Sequence, residues 1–319
     1  MRGILAVSLA ALLLVGAAAG CGGDADGGAA DDGLSGRIHV DGSATLEPFT
    51  TLAAERFQRE HPGVGVIVGI TPSRTGGGFE RFCSGETDFS NASRPIEPEE
   101  RDTCRARGIE YVEFQVANDA LTVVVNPENH WADCLTVAEL KRIWEPGSRV
   151  GSWRDVRPGF PNVDLALYGP STDSGTSEYF TDVIVGEEGA KRTDYRASRD
   201  DNVTVEGVAG SRGGLGYFGL SYFHENADRL KALQIDAGSG CVAPSVEAAQ
   251  SGDYTPLSRP LFVYAQKEAF REPHVRAFVE YALDNAVSLA QGAQLVPVTD
   301  KQLKREQAKF EEAVEEISG

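Results

Sequence analysis

The chain opens on a pattern that does not belong to a folded core. Arg2 is the only charge in the first twenty residues, an apolar run covers Ile4 to Val15, and small residues fill 16–20 ahead of Cys21. This is the layout of an export signal over 1–20, too short to span a bilayer as a helix. From 22 to 36 the chain is Gly, Ala and Asp with almost nothing to bury, which predicts a tether over 21–36. The first alternation that fits a strand is Arg37 to Val40. Helical spacing follows over Leu46 to Glu60, with Leu52, Ala53 and Phe57 on one side, then a buried-strand run from Val64 to Ile70. Strand, helix, strand is the unit of a parallel sheet.

The same periods continue. Helices are predicted from Gly77 to Cys83, Val137 to Trp144, Gly175 to about Val185, Pro273 to about Ala286 and Lys301 to Ile317. Strands are predicted at Glu110 to Gln115, Ala120 to Val125, Val163 to Tyr168, Gly214 to Phe218, Leu230 to Ile235 and Leu261 to Ala265. The fold class is therefore α/β. In the last helix Leu303, Phe310, Val314 and Ile317 share a face, and the charged remainder reads as solvated surface. After the leader a little under 300 residues remain, long for one core and comfortable for two lobes. The formal charge of −18 disfavours nucleic acid, whose binding needs clustered cations.

Beyond Cys21 the cysteines are Cys83, Cys104, Cys134 and Cys241, an even number in an exported chain, which predicts two disulfides. Spacing favours Cys83 with Cys104, leaving Cys134 with Cys241. Metal is disfavoured because no close Cys pair or neighbouring His is present. No cofactor is implied.

Three Gly/Ser/Thr-rich turns lie between a predicted strand and a predicted helix: 41–45 with Ser43 and Thr45, 73–78 with Thr75, and 172–177 with Asp173, Ser174, Gly175 and Thr176. Unpaired N–H groups at such junctions, joined by hydroxyls, bind anions. The hydroxyls are also ordinary helix caps, so the argument rests on finding three in one chain. An enzyme is disfavoured: there is no G-x-S-x-G elbow, and none of the five histidines lies in a motif that would pair with Ser174.

These turns also carry a resemblance. Gly42-Ser43-Ala44-Thr45-Leu46-Glu47-Pro48, Gly76-Gly77-Gly78-Phe79, the segment 88–95 ending Ser93-Arg94-Pro95, and Asp173-Ser174-Gly175-Thr176 resemble the phosphate-binding component of ABC importers, in its Gly-Ser-x-Thr branch. The resemblance implies a type II periplasmic-binding fold, two α/β lobes joined by a two-strand hinge with the ligand in the cleft. Lobe one would be 35–116 plus 259–319, and lobe two 117–258. Ala19-Gly20 ahead of Cys21 resembles the bacterial lipoprotein box, which implies an exported lipoprotein anchored through Cys21 at the outer face of the cell membrane or in the periplasm, and a monomer is expected. Its partners would be inorganic phosphate, or another tetrahedral oxyanion, and a membrane permease. A signalling lipoprotein of the same fold is the alternative. Implied phosphate contacts are Ser43, Thr45, Leu46, Thr75, Ser93, Ser174, Gly175 and Thr176. The family's usual Asp is replaced by Ser93 and its usual Arg by Pro170. Arg94 is then the substitute cation, with Arg199 behind it, and Asp173 or Ser93 is the acceptor for the phosphate proton.

Overall fold

A computed structural model describes residues 33–69, 74–172 and 174–319. The export signal, Cys21, most of the tether, the strand end at Ile70, Ser73 and Asp173 lie outside the described residues.

The first half of the architecture is built from β1 (Gly36–Gly42), α1 (Glu47–Glu60), β2 (Val64–Val68), α2 (Arg74–Cys83), β3 (Phe89–Ala92), α3 (Pro98–Ala106) and β4 (Tyr111–Val125). The second half adds β5 (Cys134–Thr136), α4 (Val137–Trp144), α5 (Trp153–Val156), β6 (Ala166–Pro170), α6 (Gly175–Phe180), a π turn over Thr181–Val185, β7 (Arg196–Ser198), α7 (Asp201–Ala209), β8 (Gly214–Gly219) and α8 (Leu220–Glu225). After β9 (Lys231–Ala232), β10 (Gln234–Asp236), β11 (Cys241–Val242) and α9 (Val246–Ser251), the chain returns through β12 (Ser258–Gln266). It ends with α10 (Pro273–Asp284), α11 (Ala286–Gly292), β13 (Val296–Pro297) and α12 (Asp300–Ser318).

Topology explains why two lobes arise. In the main sheet the order is β2-β1-β3-β12-β4-β8-β6-β7. β1 runs parallel to β2 and β3, and β6 runs parallel to β7 and β8. The long antiparallel pair β4 and β12 joins these parallel halves: Tyr111 to Ala120 of β4 pair with β12, and Leu121 to Val125 with β8. Each half has its own apolar core. Ile38, Phe49, Phe57, Phe89, Phe114 and Phe278 pack in one, and Leu121, Trp144, Trp153, Phe180, Leu215 and Tyr217 in the other. The architecture is the α/β, two-lobed arrangement expected.

Several expected elements change in detail. The two predicted strands at Glu110–Gln115 and Ala120–Val125 are one 15-residue strand. The polar pair Asn118 and Asp119 breaks the apolar pattern, yet both are buried where β4 crosses between halves. The helix predicted to Val185 is α-helical only to Phe180 and finishes as the π turn. In α12 the charged face is not all solvated: Glu306 is fully buried, ion-paired with Arg305 and Lys309. Both disulfides form as expected, Cys83–Cys104 and Cys134–Cys241. Among the described residues no helix is long and apolar enough to cross a membrane.

Candidate functional site

A cavity of about 600 Å³ opens where the first-half turns face α6 and the β4–β12 crossing. Each turn reaches it for a local reason. β1 ends at Gly42, and the Ser43 N–H donates to the Asn91 carbonyl of β3 at 2.9 Å, fixing where the chain leaves the sheet. α2 then packs against that end more closely than a side chain permits. A Cβ on Gly78 would lie 2.5 Å from Gly42 Cα, so the glycine run sets the depth at which Thr75, Gly76 and Gly77 line the cavity. On the opposite wall Ser174 caps α6, its hydroxyl accepting from the Ser177 N–H at 3.1 Å. Gly175 follows, and a Cβ there would meet Thr45 Oγ1 at 2.8 Å. The two walls touch at this point only because the residue is glycine.

Among the implied contacts, Ser43, Thr45, Thr75, Ser93, Arg94 and Gly175 line the cavity. Leu46, Ser174 and Thr176 do not. Leu46 is fully buried and its N–H donates to Ser43 O at 3.2 Å. The Thr75 and Ser93 hydroxyls bond one another at 3.0 Å, and the Ser93 N–H donates to Thr75 Oγ1 at 3.1 Å. Arg94 is not the spare cation expected. Its guanidinium forks onto Glu100 at 2.8 and 2.7 Å and reaches Glu97 at 3.2 Å, so its charge is balanced within its own wall. Arg199 is exposed and outside the lining.

A third cation lining the cavity besides Arg94 and Arg74 is Arg259, which the sequence analysis did not single out. Its guanidinium donates to Thr45 Oγ1 at 3.0 Å and Asp119 Oδ2 at 3.4 Å, and stacks 3.6 Å from the Tyr179 ring centroid. Its Nε is buried with no hydrogen-bond partner, while the rest of the side chain lines the cavity. Burial pushes the Asp119 carboxyl upward, against the pull of Arg259. Three carboxylates also line the α6 side, Glu178, Asp182 and Glu188. Arg74 spans from the facing wall to Glu178 at 2.9 Å and to Glu188 at 3.0 Å. Burial raises the Glu178 carboxyl, with Glu188 adding to the effect and Arg74 opposing it.

The arrangement is one of donors without a reacting pair. Hydroxyl and glycine residues line the cavity with the guanidiniums of Arg74, Arg94 and Arg259, no histidine is among the described lining residues, and the Ser174 hydroxyl is taken up as a cap. That chemistry holds a small oxyanion by hydrogen bonds.

Comparisons with known proteins agree in family. The model of the PBP superfamily domain matches residues 27–286. Protein SphX of Synechococcus elongatus is 45% identical over 267 residues, 83% of this chain and 78% of that protein. The phosphate-binding protein PstS of Staphylococcus saprophyticus is 35% identical over 309 residues, 96% of this chain and 93% of that protein. The crystal structure of a possible phosphate binding protein from Planctomyces limnophilus is 44% identical, with a TM-score of 0.84 over 88% of this chain and 99% of that one. The homologues are binding proteins and not enzymes, and the chain belongs with them: to the PBP superfamily and, within that, to the family that includes SphX and the PstS phosphate-binding proteins.

Proposed function

We propose that this protein captures inorganic phosphate outside the cell membrane and delivers it to the permease of an ABC importer. Export by the 1–20 signal and a lipid on Cys21 would hold it at the membrane's outer face, as a monomer on the tether that follows. Lobe one is taken as 35–116 plus 259–319 and lobe two as 117–258. The ligand then lies against Thr45, Thr75, Ser93 and Gly175 beneath Arg259. One observation carries this: the Arg259 guanidinium, stacked on Tyr179, lines the cavity together with a ring of hydroxyl and glycine residues. A carboxylate or sulfate would meet the same donors, so selectivity needs an acceptor for the proton that phosphate keeps. Asp173 or Ser93 is assigned that role.

The test is calorimetry on the mature chain with phosphate, arsenate, sulfate and molybdate in turn. Micromolar or tighter phosphate binding with poor competition by millimolar sulfate is expected. Equal binding of sulfate would replace phosphate by a general oxyanion, and no binding of any of the four would refute the reading.

A further inference from the structure

One charged group close to the cavity has no role in the site as described. Lys191 lies in the loop between the π turn and β7, and only 6% of it is exposed. Its ammonium donates to Ser177 Oγ at 2.7 Å, to the Pro170 carbonyl at 3.0 Å and to Tyr217 OH at 3.3 Å, and sits 4.4 Å from the Tyr195 ring centroid. Among the described residues no carboxylate pairs with it. Its neighbour Arg192 shows the ordinary solution, a fork onto Asp194 at 2.6 and 2.8 Å.

A buried ammonium surrounded by neutral groups is costly, and an apolar side chain of the same length would pack there without that cost. The cost is offset if negative charge arrives nearby. The groups Lys191 holds flank the place where it would arrive. Pro170 ends β6, and in the first turn of α6 Ser177 donates its N–H back to Ser174. Between them Gly175 lines the cavity.

We propose that Lys191 is a positioning residue for the oxyanion: it ties the end of β6 to the first turn of α6, which presents Gly175, and supplies positive charge from behind it. This rests on the oxyanion reading of the cavity. Burial pulls the ammonium down to about 8. In the empty protein it is therefore mostly charged at pH 7.5 and mostly neutral at 9.5, and an anion favours the charged form. Binding above pH 8 then takes up a proton, so affinity falls as pH rises. The other ionisable groups on the surrounding elements do not mimic this. The Tyr217 phenol is pushed further up by burial. Arg192 and Asp194 are paired, Glu178 and Glu188 pair with Arg74, and Asp182 and Glu187 are the other carboxylates nearby. Tyr195 is the remaining phenol, and the Lys191 variants separate its contribution.

The experiment is calorimetric titration with inorganic phosphate, dianionic for the most part throughout, at pH 7.5 and 9.5, on the wild type, Lys191→Arg and Lys191→Met. The wild type should lose about five- to twentyfold in affinity over that interval, since protonation of one group is at stake. Lys191→Arg, charged at both pH values, should lose less than twofold. Lys191→Met should bind about five- to twentyfold more weakly than wild type at pH 7.5 and show no further loss. A wild-type profile that is flat, or one that Lys191→Arg reproduces, overturns the proposal while leaving phosphate binding intact. Absence of phosphate binding by the wild type at both pH values overturns the oxyanion reading and this proposal together. If Lys191→Met does not fold, as circular dichroism would reveal, the wild-type and Lys191→Arg pair decides.

Discussion

The two walls of the cavity differ in how their polar groups are balanced. On the wall from β1, α2 and β3, donors are fixed by bonds within the wall: Thr75 to Ser93, Ser43 to Asn91, Arg94 to Glu100. The wall from α6 and the π turn presents one glycine, Gly175, and three carboxylates, and its cations lie elsewhere: Lys191 behind it, Arg74 across the cleft. The first wall holds its donors in place with bonds of its own. The second carries carboxylates that would repel an anion unless cations answer them. We infer that ligand settles on the first wall and that closure of the second is the step that charge controls.

The seam between the walls is where the largest effect is expected. Arg259→Met removes the guanidinium shared by Thr45, Asp119 and the cavity, and leaves Asp119 buried without a cation. Affinity for phosphate should fall more than a hundredfold, since several charge-assisted bonds of about 1.5–3 kcal/mol each are lost. Stability should fall by about 3–5 kcal/mol in urea denaturation, the usual cost of orphaning a buried charge. Adding Asp119→Asn should restore much of the stability and none of the affinity. Recovery of both would make Arg259 a structural residue and dissolve the contrast between seam and walls.

The first wall is tested by Thr75→Val, which keeps the shape and removes the hydroxyl bonded to Ser93. A roughly ten- to hundredfold loss of phosphate affinity is expected in calorimetry, one charged hydrogen bond's worth. Thr176→Val, on the second wall and outside the lining, should cost less than threefold. Equal losses would mean that the walls bind alike.

These contrasts were unevenly legible in the sequence. α1 and β2 announced themselves because each buries one face at a regular period. α3 did not, since only Cys104 among its residues is buried, and its charged remainder carries no stripe. α7 was hidden in the same way behind a short polar start, Asp200 to Asn202, in which Asp200 is a cap. The three turns were visible because glycine and hydroxyl residues cluster at strand-to-helix junctions. Arg259 was not, because it sits in Ser258-Arg259-Pro260 with no pattern around it and meets Thr45 across 214 residues of chain. Lys191 looked like any loop lysine; only its depth of burial sets it apart. Arg94 misled because its partner, Glu100, is brought to it by the unanticipated helix α3.

Lys191 also makes a prediction about stability that runs opposite to its effect on binding. Its folded-state value, about 8, lies below the ordinary lysine value of 10.5. Between those values the unfolded chain binds the proton and the folded chain does not, so this group's contribution to stability rises with pH across the interval. Lys191→Met also leaves the Pro170, Ser177 and Tyr217 oxygens without their donor, so the pH dependence and not the sign at one pH is the test. Without ligand, the melting temperature of wild type relative to Lys191→Met should rise by roughly 2–4 °C between pH 7.5 and 10.5. A difference that does not change with pH would assign Lys191 to packing alone and leave the second wall without its cation.

The smallest effect is expected at the bridge between the walls. Arg74 is more than half exposed, 59% of its side chain, so its pairs with Glu178 and Glu188 are screened and worth about 0–1 kcal/mol. They nevertheless form between residues of opposite walls, and so act on the closed state and not on the open one. Arg74→Gln should therefore leave the phosphate association rate unchanged and raise the dissociation rate about two- to fivefold in stopped-flow displacement. Raising salt to 1 M should produce a similar change in the wild type and almost none in the variant, because screening removes what the substitution has already removed. Glu178→Gln gives the complementary sign. It weakens the same bridge, yet it also removes a negative charge from the cavity wall, so its affinity for phosphate should match or exceed that of Arg74→Gln. If Arg74→Gln slows association instead, the guanidinium steers the anion inward from solution, and the second wall begins to act before closure.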